Sequence, residues 1–302
     1  MPSRDEFIKQ AAHLKAMICG PFGSGKSHFG MTFPKVHAVV TEPQDLGLLR
    51  DPANAHLLSN LVEYDLCYVD GSADKVDWRQ LVEEPTGICP LPPLEGQTKE
   101  GGLLYRALRQ AHRSAREGKV STLFLDNLTY TAEGFFQYLE KYRAKEFMTE
   151  KGAVEKRQMY GYLSSWLYRF LMTSVVNFPG NVVVSCHLKQ ESEEKLRKKK
   201  DSTVDVVPNI LGGFRDKAEG LFTASIYLER KLIPITGADG KVRTQTKFMA
   251  YTQNQQAFGS KILAKNVYGL PARMENISYG AIMEAIKGKT QGQDKSITHK
   301  GA

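Results

Sequence analysis

The chain has 302 residues, of which 41% are hydrophobic and 25% are charged, and its formal net charge is +8. This composition is ordinary for a globular protein, and no apolar run approaches the ~20 residues that a membrane-spanning helix needs. The length allows one large α/β domain or two small ones, and the positive charge is compatible with a polyanionic partner.

The first elements surround a glycine-rich stretch. Residues 1–14 have an amphipathic charged pattern that predicts a helix, and a short apolar strand follows. The next residues, GPFGSGKSH, fit the P-loop pattern G-x-x-x-x-G-K-[ST], in which glycines allow backbone N–H groups to point at phosphates and the following helix N-terminus favours anions. We expect Lys26 to reach the β- and γ-phosphates and the Ser27 hydroxyl to coordinate Mg²⁺. The predicted nucleotide-binding residues are Gly20, Pro21, Phe22, Gly23, Ser24, Gly25, Lys26, Ser27 and His28.

The remaining elements alternate between strands and helices. Apolar runs predict strands at 36–40, 65–71, 121–126 and 181–186, and helical spacing predicts helices at 103–117, 131–147 and 156–176. Prolines and glycines in 84–102 indicate a long surface loop, and the turn 237–240 between two β-type segments predicts a hairpin. This alternation favours a mostly parallel sheet with helices on both faces.

The cysteines carry no sign of a metal site. The four are scattered, no pair has metal-ligand spacing, and three lie in apolar strand-like runs. They are predicted to be buried thiols of a protein in a reducing cytoplasm.

Two carboxylates are candidates for chemistry beside the P-loop. Asp126 ends the apolar strand LFLD, as a Walker B aspartate does, and is expected to hold Mg²⁺. The next residue is Asn127, at the place where many P-loop motors carry a water-activating glutamate. Glu42 closes the strand after the P-loop helix, where the carboxyl ends of parallel strands share one crevice, so it is the candidate catalytic base. The alternatives are a solvent-facing Glu42 and a base at Asp45.

These features together resemble the RecA family of P-loop ATPases, over roughly residues 15–271. Glu42 in VVTEP matches the catalytic glutamate of RecA-like ATPases, and His187 in VVVSCHLKQ matches their polar γ-phosphate sensor. Gly212-Gly213 matches the pair that closes a DNA-binding loop. Lys265 in ILAKNVYGLP matches a lysine that reaches the ATP of a neighbouring subunit.

The size and compact core look most like phage-encoded RecA-like nucleotide-binding proteins, including Sak-type single-strand annealing ATPases. The resemblance implies an α/β fold with a RecA-like P-loop NTPase core at 15–275, a mostly parallel sheet flanked by helices, and a C-terminal β-hairpin extension. It places a helix at 1–14 before this core, the loop insertion 84–102 within it, and a helix at 276–287 and a disordered tail at 288–302 after it. The implied cofactors are ATP and Mg²⁺, and the implied location is the cytoplasm, which is the host cytoplasm if the protein is phage-encoded.

Two segments are candidates for contact with DNA. Residues 189–202 lie where the resemblance places a DNA loop, and their cations could neutralise the phosphates of single-stranded DNA. A solvated charged loop is the alternative, because glutamates offset part of that charge. Residues 141–163 mix cations with aromatic rings suited to base stacking, although aromatic residues at helical spacing also predict core packing. The candidate DNA-binding residues are Lys195, Arg197, Lys198, Lys199 and Lys200.

Different classes of function remain open at this point. The first is a DNA-stimulated ATPase that forms a ring or filament on single-stranded DNA in phage-type recombination, annealing or replication. A single-strand binding protein is a further candidate partner, and no membrane is expected. The second class is a P-loop small-molecule kinase, for which no clear arginine-bearing lid is found. The third is an ATP-gated binding module with little hydrolysis. The Glu42 and Gly-Gly matches favour the first.

Overall fold

A computed structural model of the chain describes residues 13–42, 52–68, 77–190, 204–211, 214–236, 242–253, 255–257, 260–262, 264–266 and 268–287. The strands in these ranges are β1 (Lys15–Gly20), β2 (Val36–Val40), β3 (Leu61–Leu66), β4 (Thr122–Asp126), β5 (Asn181–Gln190), β6 (Val204–Pro208), β7 (Ala224–Thr236), β8 (Val242–Tyr251), β9 (Gln255–Ala257), β10 (Ser260–Ile262), β11 (Lys265–Asn266) and β12 (Arg273–Glu275). The α-helices are α1 (Lys26–Met31), α2 (Ala55–Leu58), α3 (Trp78–Val82), α4 (Leu103–Arg116), α5 (Leu128–Tyr142), α6 (Lys156–Phe170), α7 (Arg215–Ala218) and α8 (279–287). A π-helical segment, Leu171–Val176, continues α6.

The main sheet has the strand order β12-β8-β7-β1-β5-β4-β2-β3. Every neighbouring pair from β7 to β3 is parallel, and β8 and β12 add antiparallel pairs at the other end. Cα register pairs Cys19 with Cys186 and Val40 with Asp126, so four parallel strands end at the same edge of the sheet. This confirms the predicted α/β fold with a mostly parallel sheet and flanking helices.

Two apolar cores, one on each face of the sheet, bury its central strands on both sides. On one face, helices α3 to α6 pack around Phe135 and Trp166, whose rings stack at 4.2 Å between centroids. On the other face, Phe29 of α1, Leu57 of α2 and Ile282 of α8 form a second buried cluster. No helix in the described ranges is long and apolar enough to cross a membrane.

The predicted hairpin is a long antiparallel pair. Ten residues of β7, Tyr227 to Thr236, pair with the ten residues of β8 from Tyr251 back to Val242. The turn itself, residues 237–240, lies outside the described residues. Because β7 is also parallel to β1, the hairpin is joined directly to the P-loop strand.

Several predicted element boundaries were wrong. The predicted helix at 1–14 falls almost entirely outside the described residues, and β1 begins at Lys15. Helix α5 begins at Leu128, because the Asn127 side chain caps it by accepting a hydrogen bond from Tyr130 N at 3.0 Å. Strand β5 continues to Gln190, because its end pairs with β6 beyond the sheet. The tail 288–302 also lies outside the described residues.

Strand β3 was misplaced by several residues, and the face that it buries is inverted. The charged side chains Glu63 and Asp65 point inward, where each lies within 2.9 Å of a ring nitrogen of buried His37 on β2. The apolar residues Val62 and Tyr64 are on the exposed face. The alternation of apolar and polar residues in 61–66 is an ordinary strand signal, but it does not show which face is buried.

Candidate nucleotide-binding site

The P-loop joins β1 to α1 and needs glycine at two positions. Gly23 has φ 72° and Gly25 has φ 90°, both in the left-handed region that side chains disfavour. At Gly25, a Cβ atom would also lie 2.9 Å from the ring of Phe248 in β8. The loop therefore keeps a backbone shape that presents N–H groups instead of side chains.

Lys26, the first residue of α1, lies across the mouth of the loop. Its Nζ donates to the carbonyl oxygens of Gly20 at 3.0 Å and Pro21 at 2.9 Å, and lies 3.5 Å from Nδ1 of His187. Burial lowers the pKa of Lys26, while the charges of Asp126 and Glu42 act in the opposite direction. A buried ammonium held by carbonyl oxygens is well placed to receive an anionic ligand.

Ser27 and Asp126 meet as a hydroxyl–carboxylate pair. Ser27 Oγ donates to Asp126 Oδ2 at 2.7 Å, and the Ser185 hydroxyl donates to the other carboxylate oxygen. Burial raises the pKa of Asp126. No group of three His, Cys, Asp or Glu residues within the described ranges could hold a metal unaided. The pair does fit Mg²⁺, which takes one or two protein oxygens and fills its other positions with phosphate and water.

Glu42, Asn127 and His187 form a hydrogen-bonded group at the ends of β2, β4 and β5. Asn127 Nδ2 lies 2.8 Å from Glu42 Oε2 and 3.2 Å from His187 Nε2. His187 Nε2 is in turn 3.6 Å from Glu42 Oε2. The hydrogen bond from His187 is the largest influence on the pKa of Glu42, which is lowered despite partial burial. The carboxylate is therefore held ionised beside the P-loop lysine.

Threonine hydroxyls fix the strand ends that carry this group. Thr41 Oγ1 donates to Asn127 O at 2.7 Å and accepts from Asn127 N at 2.9 Å, which joins the ends of β2 and β4. Thr129 Oγ1 accepts from His187 N at 3.0 Å and joins α5 to β5. These contacts hold Glu42 and His187 at a fixed separation.

A cavity of ≈ 290 Å³ opens beside the P-loop, toward the hairpin. The side chain of Ser24 is fully buried there, and its hydroxyl has no hydrogen-bond partner among the residues that the structure describes. The rings of His28 and Phe248 are nearly parallel, with an angle of 16° and 6.4 Å between centroids. Burial lowers the pKa of His28, which favours the neutral imidazole. The lining residues are Ser24, Gly25, His28, Phe29, Leu228, Thr246, Phe248, Asn276 and Ile277.

Arg230 of β7 lies at the tip of the P-loop and was not anticipated from the sequence. Its Nη1 lies 3.8 Å from the position of a Cβ atom on Gly23. Arg230 pairs with Phe248 across the hairpin, so both side chains reach the loop from the same pair of strands. The contacts between the hairpin and the loop span about two hundred residues of sequence, which no local pattern reveals.

The other predicted residues are not all part of this cluster. Phe22, at the tip of the loop, is 70% exposed. Lys265 lies in β11 opposite Ser225 of β7, which itself pairs with Met17 of β1, below the P-loop. Lys195, Arg197, Lys198, Lys199, Lys200 and the Gly212-Gly213 pair lie outside the described residues.

The aromatic residues of the second candidate DNA segment pack inward. Phe147 is buried, and the ring of Tyr160 stacks on that of Phe136 at 5.0 Å between centroids. Tyr142 packs against Tyr138 at 5.7 Å. These contacts favour core packing over base stacking for the segment 141–163.

Comparison with known proteins agrees with this geometry. The family described as an AAA domain matches residues 12–262, well over half of the chain. A search of curated proteins found no match. The matched range contains the P-loop, Asp126, Glu42 and His187. The chain therefore belongs to the AAA domain family of P-loop ATPases.

Proposed function

We propose that the chain binds ATP with Mg²⁺, hydrolyses it, and uses the cycle to act on single-stranded DNA in phage-type recombination, annealing or replication, as Sak-type RecA-like proteins do. The observation that carries the ATPase part is one connected group at the strand ends. In it, Ser27 donates to Asp126, and Asn127 lies between Glu42 and His187. The ammonium of Lys26 lies 3.5 Å from Nδ1 of His187.

Each residue has a role that its contacts support. Ser27 and Asp126 would hold Mg²⁺, which when bound neutralises charge on the phosphate oxygens. Lys26 would leave the loop carbonyls for the β- and γ-phosphates. Glu42, held ionised, would orient and deprotonate the attacking water, while Asn127 fixes its carboxylate. His187, between Lys26 and Glu42, is placed to respond to the γ-phosphate.

The cavity beside the P-loop would take the nucleoside. Its volume of ≈ 290 Å³ suits a planar base, and the rings of His28 and Phe248 offer apolar faces to it. Ser24 also lines this cavity. At the other end, the Arg230 guanidinium would add positive charge near the phosphates from the same chain.

The decisive test of this proposal is ATP turnover with and without single-stranded DNA, in the wild type and in Lys26→Ala. We expect the variant to lose ATP binding and turnover, because its ammonium is the buried cation at the loop mouth. Lys287→Ala, at an exposed lysine of α8, is the matched control and should leave turnover unchanged. Normal hydrolysis by Lys26→Ala would overturn the assignment, and turnover insensitive to DNA would remove the proposed coupling.

The DNA-binding role of the loop 189–202 has its own test. Replacing Lys195, Arg197, Lys198, Lys199 and Lys200 by alanine should lower affinity for all single-stranded sequences alike. If all five contact phosphates, the slope of log affinity against log salt should become shallower by about 3.5, at ~0.7 for each contact. An unchanged slope would place the DNA elsewhere.

Assembly into a ring or filament is the last part of the proposal. Lys265 would supply a cation to the ATP of a neighbouring subunit, and such cations contribute about 10³-fold or more to phosphoryl transfer. Lys265→Ala should then bind ATP but hydrolyse it poorly, and mixing it with Lys26→Ala should restore some activity at mixed interfaces. A wild type that stays monomeric with ATP and DNA, together with no complementation, would refute this.

A further inference from the structure

A second, larger cleft lies away from the nucleotide site. Its volume is ≈ 490 Å³, and it is bounded by α4, by the start of the loop after α3, and by the π-helical end of α6. Helix α4 ends at Arg116, and β4 begins only six residues later at Thr122. The cleft therefore extends toward the amino ends of the strands, whereas the P-loop lies at their carboxyl ends. The lining residues are Pro85, Ile88, Tyr105, Leu108, Arg109, His112, Arg113, Arg116, Thr173, Ser174 and Asn177.

The cleft concentrates positive charge along one helix face. Arg109, Arg113 and Arg116 are exposed and follow one another at spacings of four and three residues, which lie on the same side of a helix. None of the described residues that line the cleft is a carboxylate. Among the described residues, the guanidinium groups of Arg113 and Arg116 have no hydrogen-bond or salt-bridge partner, while the Arg109 guanidinium donates to the backbone oxygen of Glu100. Three neighbouring like charges are unfavourable unless an anion joins them.

The acidic side chain of Glu117 offsets only part of this charge, because it acts on Arg113 but is paired with Lys119. Glu117, the residue after α4, pairs with Lys119 at 2.7 Å. That pair leaves a net positive charge at the end of the helix. The amino-terminal edge of the sheet carries a further cation, Lys15, whose Nζ donates to Gly180 O at 2.6 Å.

The rest of the lining combines hydrogen-bonding groups with apolar side chains. His112 Nε2 donates to Ser174 O at 2.9 Å, and the imidazole packs edge-on against Phe178. Thr173 and Asn177 are exposed at the end of the cleft. Arginine, serine, threonine and asparagine are the side chains that most often contact phosphate oxygens in nucleic-acid complexes.

We propose that this cleft binds the phosphodiester backbone of a single-stranded nucleic acid, at a site separate from the nucleotide site and from the loop 189–202. Successive arginines stand ~6 Å and ~4.5 Å apart along the helix axis, so they can contact successive phosphates of one strand. The aromatic ring in the lining, Tyr105, is 5% exposed and offers no stacking surface. Binding is therefore independent of base sequence.

A site in this cleft gives the protein a second place to hold single-stranded nucleic acid. One protein molecule could then hold one nucleic-acid strand in the cleft and another at the carboxyl edge of the sheet, as pairing of two strands requires. The ligand class rests on the proposed function, but the site does not use the P-loop, and binding there needs no ATP hydrolysis.

The test compares two variants with equal loss of charge. In the first, Arg109, Arg113 and Arg116 are changed to Gln. In the control, the exposed cations Lys217, Arg273 and Lys287, which lie outside the cleft and outside both candidate DNA segments, are changed to Gln. Binding of a fluorescent oligothymidine by nucleotide-free protein is measured between low and moderate salt, together with basal ATP turnover and thermal unfolding.

We expect the cleft variant to fold normally, to keep basal ATP turnover, and to show a salt slope shallower by about 2, at ~0.7 for each lost phosphate contact. The control should keep the wild-type slope. If the cleft variant keeps the wild-type salt slope, the cleft site is wrong but the proposed DNA role can stand. The same holds if the control variant shows as large a change in salt slope as the cleft variant. An effect of the cleft variant on binding of polyglutamate, with none on the oligonucleotide, would assign an acidic peptide instead. A wild type that binds no oligonucleotide overturns this site and the proposed DNA role together, whereas binding with no ATP turnover overturns only the proposed hydrolysis.

Discussion

The substitution Glu42→Gln separates catalysis from binding. Glutamine has the size of glutamate, and its carbonyl oxygen can still accept the hydrogen bond that Asn127 Nδ2 donates to Glu42 Oε2 at 2.8 Å. Only the charge and the basic oxygen are lost. We therefore expect ATP and Mg²⁺ to bind as in the wild type while hydrolysis falls.

The size of the fall follows from the role of the carboxylate. A positioned general base contributes roughly 10²–10⁴-fold in rate. At about 1.36 kcal/mol for each factor of ten, this is about 2.7–5.4 kcal/mol of barrier. Stability should change much less, because a hydrogen bond to a charged group is stronger than a neutral one by about 1 kcal/mol. The Glu42 side chain is 15% exposed, so solvent screens part of that difference.

The assay is phosphate release in a single turnover, alongside titration with a fluorescent ATP analogue and thermal unfolding. Glu150→Gln, at an exposed position, serves as the control for loss of one carboxylate. A Glu42→Gln protein that hydrolyses ATP within about twofold of the wild-type rate would show that another group activates water. Parallel loss of ATP binding would show that Glu42 supports the site and does no chemistry.

Three further changes test the surroundings of the site. Asp126→Asn should abolish Mg²⁺-dependent turnover. The variant should also unfold at a higher denaturant concentration than the wild type at pH 8 but not at pH 4. Burial raises the pKa of Asp126, so the wild type loses stability as that carboxyl ionises with rising pH. Gly30→Ala should destabilise the fold by about 1–3 kcal/mol in chemical denaturation, since its Cβ would lie 2.6 Å from the Phe124 ring, and Phe124→Leu should recover part of the loss. Arg230→Gln should reduce kcat more than ATP affinity, whereas Phe248→Ala should mainly weaken ATP affinity. If steady-state kinetics give the reverse pattern, Arg230 contacts the nucleoside and Phe248 affects the phosphates.

Local sequence was enough to locate the phosphate-binding loop and its partners at the strand ends. The P-loop pattern is contiguous, and its glycines are required by the backbone itself. Asp126 and Glu42 were found because buried parallel strands are continuous apolar runs, and their carboxyl ends meet at one edge. Neither inference needed a long-range contact.

The parts that sequence did not reveal depend on contacts between distant segments. Arg230 and Phe248 reach the P-loop because β7 pairs with β1, and no periodicity encodes that pairing. Strand β3 was misplaced although its residues alternate between apolar and polar, which is the usual strand pattern. That pattern does not show that Glu63 and Asp65 face inward, because their partner is a buried histidine on another strand.

The position of Asn127 in the order of strands explains why Glu42, and not residue 127, is the candidate catalytic base. The residue after Asp126 lies between β2 and β5, and its amide nitrogen faces both Glu42 and His187. A glutamate at 127 would bring a second carboxylate against Glu42, and two like charges at that distance cannot both stay ionised. An amide can donate to the Glu42 carboxylate and adds no charge of its own. The amide at 127 and the acid at 42 therefore form a single arrangement, in which the Asn127 side chain orients the Glu42 carboxylate.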